Sequence, residues 1–335
     1  MNTFFSIVVP VYNRPEEVRE LLESLVHQDF AAPYEVVIVE DGSSESSEDI
    51  VKKFQDKLQI SYYYKENSGP GDSRNYGMQK AKGNYFIILD SDCILPKQYL
   101  TEVNKELEKA FVHCFGGPDA ADSSFTDVQK AINYVMTSFF TTGGIRGAEK
   151  SVGRFQPRSF NMGISKEAFE KAGGFGRIHP GEDPDLTFRI WKAGFDTRLF
   201  SKAFVYHKRR IDWNKFYTQV NKFGMVRPIL NKWHAGTSRP TYWFPTLFML
   251  GLCISVFLAF IGIPLPLWMY VVYFLVLFLD ALLKNRNVKV AFLAIFAALT
   301  QFTGYGIGFL KSTILLNFSN KEPEELFPKL FFKRK

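Results

Sequence analysis

The sequence predicts an α/β domain built on a mixed, mostly parallel sheet flanked by helices, followed by membrane helices in its last third. Three observations predict it. Short β-branched runs alternate with helical patterns from Ser6 to Leu89. Polar and acidic residues stand directly after three of those runs, where open α/β sheets bind their ligands. The final third then shifts to long stretches almost free of charge.

Ser6 to Pro10 and Tyr34 to Val39 read as the first two strands, on either side of a helix at Glu16 to Val26. A helix at Ser47 to Leu58 precedes a strand at Ile60 to Tyr64, and a helix at Asp72 to Lys80 precedes a strand at Tyr85 to Leu89. Met1 to Val11 has no basic leading region and no small-residue cleavage site, so it is expected as strand rather than secretory signal. Further on, Phe160 to Ile164 and Ala203 to Tyr206 are expected as strands, and Lys166 to Ala172 and Leu186 to Ala193 as helices. Phe125 to Gly147, rich in Phe, Tyr and Met, fits a lid, a membrane-surface helix or buried packing.

With 335 residues the chain holds one soluble domain and an appendage. We expect a soluble domain at 1–235, with a nucleotide-binding half at about 1–115 and a second half at about 116–210, then a membrane region at 241–311 and a basic tail at 312–335. Tyr242 to Ile261 and Leu267 to Leu283 are close to the roughly 20 apolar residues that span hydrocarbon, with Asp280 as the one charge. The turn between them, Gly262 to Pro266, is uncharged, whereas Arg239, Lys284, Arg286 and Lys289 flank the pair, the pattern of a hairpin returning to the cytoplasm. A third run, Val290 to Leu310, is long enough to cross, yet Gln301, Gly304, Gly306 and Gly308 and a lysine-rich tail leave a full span and an interfacial path both open.

Charge and cysteine content narrow the function classes. From His207 to Arg239 eight Lys or Arg residues face one Asp212, a local +7 that equals the whole chain's net charge. Placed just before a membrane hairpin, that belt fits anionic lipid headgroups rather than nucleic acid. Cys93, Cys114 and Cys253 contain no CxxC pair, which argues against a zinc or dithiol centre.

The strand ends carry the chemistry. After the first strand stands Pro10-Val11-Tyr12-Asn13-Arg14, after the second Glu40-Asp41-Gly42-Ser43-Ser44, after the fourth Asp90-Ser91-Asp92. Asp90 and Asp92 share one face if the segment is extended, and paired carboxylates with phosphate oxygens suit Mg2+ or Mn2+. Ser68-Gly69-Pro70-Gly71-Asp72-Ser73-Arg74-Asn75 allows close backbone approach at Gly69 and brings the Arg74 fork, but it matches neither a Walker loop nor a dinucleotide fingerprint. Asp183 before Pro184 also has the form of a helix N-cap followed by proline at the first helical position.

In order, the motifs PVYNR, VEDGSS, SGPGDSRN, LDSDC and GEDPDL resemble the inverting glycosyltransferases of family 2, which have the GT-A fold, over residues 4 to about 210. The resemblance implies donor-binding roles for Pro10, Tyr12, Asn13, Arg14, Glu40, Asp41, Gly69, Arg74, Asp90, Ser91 and Asn161, with Asp41 at the base and Arg74 at base or diphosphate. It implies a Mn2+ or Mg2+ cofactor held by Asp92, His207 and Asp90, and a catalytic pair in which Asp183 is the base and Glu182 its neighbour. Cys93 stands where many relatives carry a third acid.

The implied reaction moves a sugar from a nucleoside diphosphate donor, UDP by family frequency, to a hydroxyl of a saccharide or lipid-linked acceptor at the cytoplasmic membrane face. Gln219 to Phe223 lacks the Arg and Trp of processive synthases, which points to transfer of a single sugar. A polyprenyl-phosphate acceptor, a sugar nucleotidyltransferase and a non-catalytic membrane scaffold are the competing readings.

Overall fold

The structure, a computed structural model, describes residues 3–120, 125–143, 154–207 and 212–332. In chain order its elements are β1 (Phe5–Val11), α1 (Pro15–Val26), β2 (Glu35–Asp41), α2 (Glu48–Lys52), β3 (Gln59–Lys65), α3 (Pro70–Lys80), β4 (Tyr85–Leu89), β5 (Cys93–Ile94), α4 (Tyr99–Lys109), β6 (Cys114–Gly116) and β7 (Asp119–Ala120). There follow α5 (Asp127–Thr137), α6 (Phe139–Thr142), β8 (Asn161–Ser165), α7 (Lys166–Ala172), α8 (Glu182–Lys192), β9 (Thr197–Leu199) and β10 (Val205–His207). The chain then forms α9 (Trp213–Trp233), α10 (Phe244–Phe260), α11 (Leu265–Asn285), α12 (Val288–Phe318) and α13 (Pro323–Leu326). Residues 3–120, 154–207 and 331–332 make one compact unit, and 125–143 and 212–330 another.

In the first unit the described residues form a sheet in the order β3-β2-β1-β4-β8-β6-β9. β3, β2, β1 and β4 are parallel, so their carboxyl ends meet at one edge, and β8 runs antiparallel to both β4 and β6. Alternate residues face opposite sides. Phe5, Ile7 and Val9 pack with Val18, Leu21, Leu22 and Leu25 of α1 and with Leu100 and Val103 of α4. Val8, Val37 and Phe86 pack on the other face with Met78 of α3, Ala168 of α7 and Leu186 and Ile190 of α8. A small second sheet, β5-β10-β7, stands beside the site described below.

Three elements differ from the sequence reading. The helix expected at Ser47 to Leu58 shortens to α2, because Gln55 and Lys57 bond to the carbonyls three residues back and the chain turns. Asp90-Ser91-Asp92 is a turn, closed by the Cys93 N–H on the Asp90 carbonyl at 3.1 Å, and not an extended segment. Finally, α8 starts at Glu182 behind Gly181, whose φ of +119° only glycine adopts at ease, so Asp183 is the second helical residue and not the cap.

In the second unit α5 lies against α11 and α12, with Ala131, Ile132 and Val135 packed among Leu277, Ala281, Val290 and Ala294. Asp280, the one charge in an apolar helix, accepts a hydrogen bond from Tyr134 OH at 2.6 Å and pairs with Lys284 at 3.0 Å. Basic residues Lys208 to Arg210 of the predicted belt lie outside the described residues, as do Gly144 and Arg146.

Buried Glu35 pins the start of β2: its carboxylate accepts from Ser6 Oγ at 2.6 Å and from the Lys82 and Gly83 N–H groups at 2.5 and 3.3 Å. Glu35→Ala strands those donors, and we expect a loss of about 1–3 kcal/mol, read as a lower midpoint of thermal unfolding. Glu35→Gln, which keeps the acceptor oxygen, is expected to lose less.

Candidate active site

At the carboxyl end of β2 the acidic pair divides its tasks. Glu40 is fully buried and turned inward, accepting from the Ser47 N–H at 2.9 Å, Tyr62 OH at 3.1 Å and the Ser43 and Ser47 hydroxyls. It shapes the loop. Asp41 faces the glycine loop instead, bonded to Lys65 Nζ at 2.7 Å and to the N–H groups of Ser68 and Gly69 at 3.0 and 2.9 Å. Asn13, at φ +52°, ties this loop to the end of β1, its Oδ1 accepting from the Ser44 and Glu45 N–H groups at 2.7 and 3.1 Å. Tyr12 projects outward, 54% exposed, while Pro10 lies within the β1–β2 ladder.

Arg74, on the second turn of α3, is 4% exposed. Its guanidinium reaches Asp90 at 2.8 Å and Glu182 at 3.4 Å and lies over the Phe175 ring at 5.3 Å. Burial opposes the charge, but Asp90, Glu182 and Asp183 together hold the guanidinium protonated. The fork thus joins the end of β4 to the start of α8.

The two acids that begin α8 are driven apart. Burial pushes Glu182 upward, yet His179, with Nδ1 at 2.9 Å, and Arg74 outweigh it and bring the carboxyl down to about 2. Asp183 moves the other way: burial and the Glu182 charge raise it, against Arg74, Arg158 and a hydrogen bond from Ser159. Its Oδ1 is buried and has no hydrogen-bond partner among the described residues. Neighbouring carboxylates with opposed shifts are the arrangement that separates a fixed charge from a proton acceptor.

On the far side of the turn, Asp92 Oδ1 lies 3.0 Å from His207 Nε2, and Asp92 Oδ2 lies 3.1 Å from Arg14 Nη1. Strand pairing makes this contact, because β10 runs antiparallel to β5 and sets His207 opposite Cys93. Burial raises Asp92, but His207 and Arg14 together hold it below the usual carboxylate range.

Cys93, Asp92 and His207 are the described residues whose potential metal-ligand atoms lie within 4.8 Å of one another. Burial pushes the Cys93 thiol well up, and it donates to the Phe160 carbonyl at 3.5 Å, so it is a packed thiol and not a ligand for a hard cation. An imidazole nitrogen and a carboxylate oxygen remain, a set that suits Mn2+ or Mg2+ with substrate oxygens completing the shell.

The turn at Asp90 to Asp92 separates several of the expected site residues. Asp90 does not join Asp92: the turn sends Asp90 to Arg74 and Asp92 to His207. Asn161 is fully buried, its amide taken up by Tyr99 OH at 2.6 Å and the Ala203 carbonyl at 2.8 Å, which braces β8. Ser91 is likewise buried. Arg14 turns to Asp92. Three contributors were missed: Lys65, His179 and Phe332. Lys65 ends a strand and His179 stands three residues before Glu182, signals that were present; the Phe332 contact is tertiary.

Comparison with known proteins follows the same lines. Residues 6–173 match the sequence family described as glycosyl transferase family 2. The chain is 38% identical over 101 residues to poly(ribitol-phosphate) beta-N-acetylglucosaminyltransferase TarS of Staphylococcus aureus, covering 29% of this chain and 18% of TarS. It is 34% identical over 234 residues to glycosyltransferase GlyA of Streptococcus pneumoniae, covering 68% of this chain and 32% of GlyA. The chain thus matches less than half the length of either relative. Among solved structures, mannosyltransferase PcManGT from Pyrobaculum calidifontis, in complex with GDP-Man and Mn2+, superposes with a TM-score of 0.56 at 16% identity, over 96% of this chain and 89% of that one. That likeness carries the fold, and the expected GT-A architecture holds.

Gly69 gives a direct check on the loop beneath Asp41. Its φ is +97°, and an added Cβ would sit 2.4 Å from the Phe332 ring. Gly69→Ala is expected to cost on the order of 1–3 kcal/mol, read as a lower unfolding midpoint. Combining it with Phe332→Ala should recover the steric part and leave the backbone part.

Proposed function

Since the chain belongs to glycosyltransferase family 2, we propose that it moves a sugar from a nucleoside diphosphate donor onto an acceptor hydroxyl by one inverting displacement. The observation that carries this reading is the opposed state of Glu182 and Asp183 at the head of α8. Asp183 takes the acceptor proton as the acceptor oxygen bonds to the anomeric carbon and the bond from that carbon to the diphosphate oxygen breaks. The nucleoside diphosphate leaves, and no covalent enzyme intermediate forms. Glu182, kept ionised by His179 and Arg74, raises the basicity of Asp183 and does not itself take the proton. Buried Arg74 positions Asp90 and Glu182 rather than gripping the diphosphate.

Asp92 and His207 would hold a divalent cation, Mn2+ or Mg2+, which would supply positive charge for a diphosphate leaving group. The exposed Tyr12 ring, with Asp41 beyond it, supports a base site at the ends of β1 and β2. Uridine is the base in this reading. The acceptor is a lipid-linked saccharide, a reading supported by two long helices whose apolar stretches are only 11% buried within the protein. The basic residues that flank them support a catalytic unit on the cytoplasmic side, near anionic lipids.

Calorimetric titration of UDP and GDP into detergent-purified protein, with and without Mn2+, tests the donor reading. We expect metal-dependent binding of UDP that Asp92→Asn abolishes; binding of neither nucleotide by folded wild type would remove the enzymatic reading. Asp183→Asn should keep donor binding and lower transfer by about 10²–10⁴-fold. A phosphate acceptor, which needs no strong base, would leave turnover largely intact in that variant. Release of pyrophosphate in place of nucleoside diphosphate would mark a nucleotidyltransferase.

The pH profile follows from the charges. Transfer requires ionised Asp183, so activity falls on the acid side as Asp183 gains a proton. Glu182→Gln removes the negative neighbour that raises Asp183, so its acid limb should move to lower pH, measured as kcat/KM against pH.

A further inference from the structure

Among the described residues three helices are long and apolar enough to cross a membrane: Pro240–Phe260, Leu265–Asn285 and Val288–Phe318. The chain's own path limits how many of them do so. It leaves the first unit at β10, which pairs with β5. It is back in that unit at Phe331, which bridges to Ile178, and at Phe332, whose N–H donates to the Arg177 carbonyl at 3.1 Å and whose ring lies 5.8 Å from that of His179. A chain that leaves and rejoins one folded body on one side of a bilayer crosses it an even number of times. Three crossings are therefore excluded.

We infer that α10 and α11 cross as a hairpin, while α12 lies in the membrane interface on the side of the first unit. The contacts of α12 single it out. Phe278 of α11 meets Phe292 at 4.8 Å, and Leu277 and Ala281 pack among Val290, Ala291 and Ala294. The start of α10 meets a different stretch: Phe244 lies 5.6 Å from Phe302, Trp243 lies 5.0 Å from Phe309, and Thr246 Oγ1 donates to the Gly306 carbonyl at 3.1 Å. The near ends of both hairpin legs thus rest on α12 at points some 20 Å apart along its axis, at about 1.5 Å per residue.

The companion of α12 supports the same reading. α9 packs along it through small residues: Asn221 Nδ2 donates to the Gly304 carbonyl at 2.9 Å, a Cβ on Gly224 would lie 2.2 Å from the Tyr305 carbonyl oxygen, and one on Gly308 would lie 2.2 Å from that of Asn221. α9 also carries Lys215, Gln219, Lys222, Arg227 and Lys232. Were α12 to span, it would carry this polar helix into hydrocarbon, where each charge costs several kcal/mol. In the interface that cost disappears, and the exposed lysines Lys215 and Lys232 meet headgroups while Arg227 stacks on Tyr242 at 4.6 Å. The exposed residues Phe292, Phe296, Ile307, Ile314 and Phe318 fall within an arc of roughly 80° at 100° per residue, a stripe for the acyl chains that exposed Lys289 enters at the first turn of the helix.

The inference does not rest on the transfer reaction, and labelling of the full chain in sealed membrane vesicles tests it. In a Cys253→Ser background, with Cys93 and Cys114 buried, single variants Asp56→Cys, Ile263→Cys, Arg286→Cys, Asn320→Cys and Glu325→Cys are exposed to a membrane-impermeant maleimide in right-side-out and inverted vesicles. Asp56→Cys, Arg286→Cys, Asn320→Cys and Glu325→Cys should react from one side and Ile263→Cys from the other. Reaction of Arg286→Cys, or of Asn320→Cys and Glu325→Cys, from the Ile263→Cys side would show that α12 crosses and overturn the inference. Reaction of Ile263→Cys from the Asp56→Cys side would overturn the crossing hairpin. Asn320→Cys and Glu325→Cys check each other against a local folding fault.

Discussion

The guanidinium of Arg74 is the constraint on which the rest of the site depends. It is a buried charge, and a buried charge persists only when it is paired and hydrogen-bonded. Asp90 and Glu182 supply that pairing from two elements that the sequence holds far apart, the end of β4 and the start of α8. The rigid fork also sets their separation, which a flexible lysine ammonium would not do. Removal of the guanidinium would leave two acids facing each other in a poorly hydrated space, next to a third in Asp183. Arg74 therefore sets both the shape of the site and its charge balance.

From that constraint follows a division of work among carboxylates that look alike in sequence. Asp90 and Asp92 are two residues apart, but the turn closed by the Cys93 N–H sends one toward Arg74 and the other toward His207 and Arg14. Glu182 and Asp183 are adjacent, yet one receives His179 and Arg74 while the other receives burial and its neighbour's charge. Within each pair the two acids face different partners. Glu40 and Asp41 divide in the same way, with Glu40 building a loop and Asp41 holding the glycine turn.

The sheet was legible because its signal is local. β-branched runs with period two, separated by helical patterns, placed β1 to β4 within two residues of their observed ends. The family motifs likewise picked out the acids that stand after β4 and at the head of α8. What could not be read was which way each side chain turns. Asn161 sits on a strand the sequence identified, yet its partners are Tyr99 and the Ala203 carbonyl, both tertiary. The extended form assumed for Asp90 to Asp92 failed because one backbone hydrogen bond converts an alternating segment into a turn. Asp280 looked like a flaw in an apolar helix until Tyr134, from a segment of unassigned role, was found donating to it.

Phe332 shows the same limit at the longest range. Its ring fills the space that Gly69 leaves by lacking a Cβ, on the loop whose N–H groups hold Asp41. Closing so long a loop adds little entropy cost beyond that of a much shorter one, since the penalty grows only logarithmically with length. A few contacts at Arg177, Ile178 and His179 can therefore hold the returning segment in place. His179 in turn bonds to Glu182, so the segment that follows the apolar helices touches both the glycine loop and the ring that bonds Glu182. The return of the chain at Phe332 and the low-lying carboxyl of Glu182 thus share His179, and loss of the Phe332 ring would change the surroundings of the imidazole that holds Glu182 ionised.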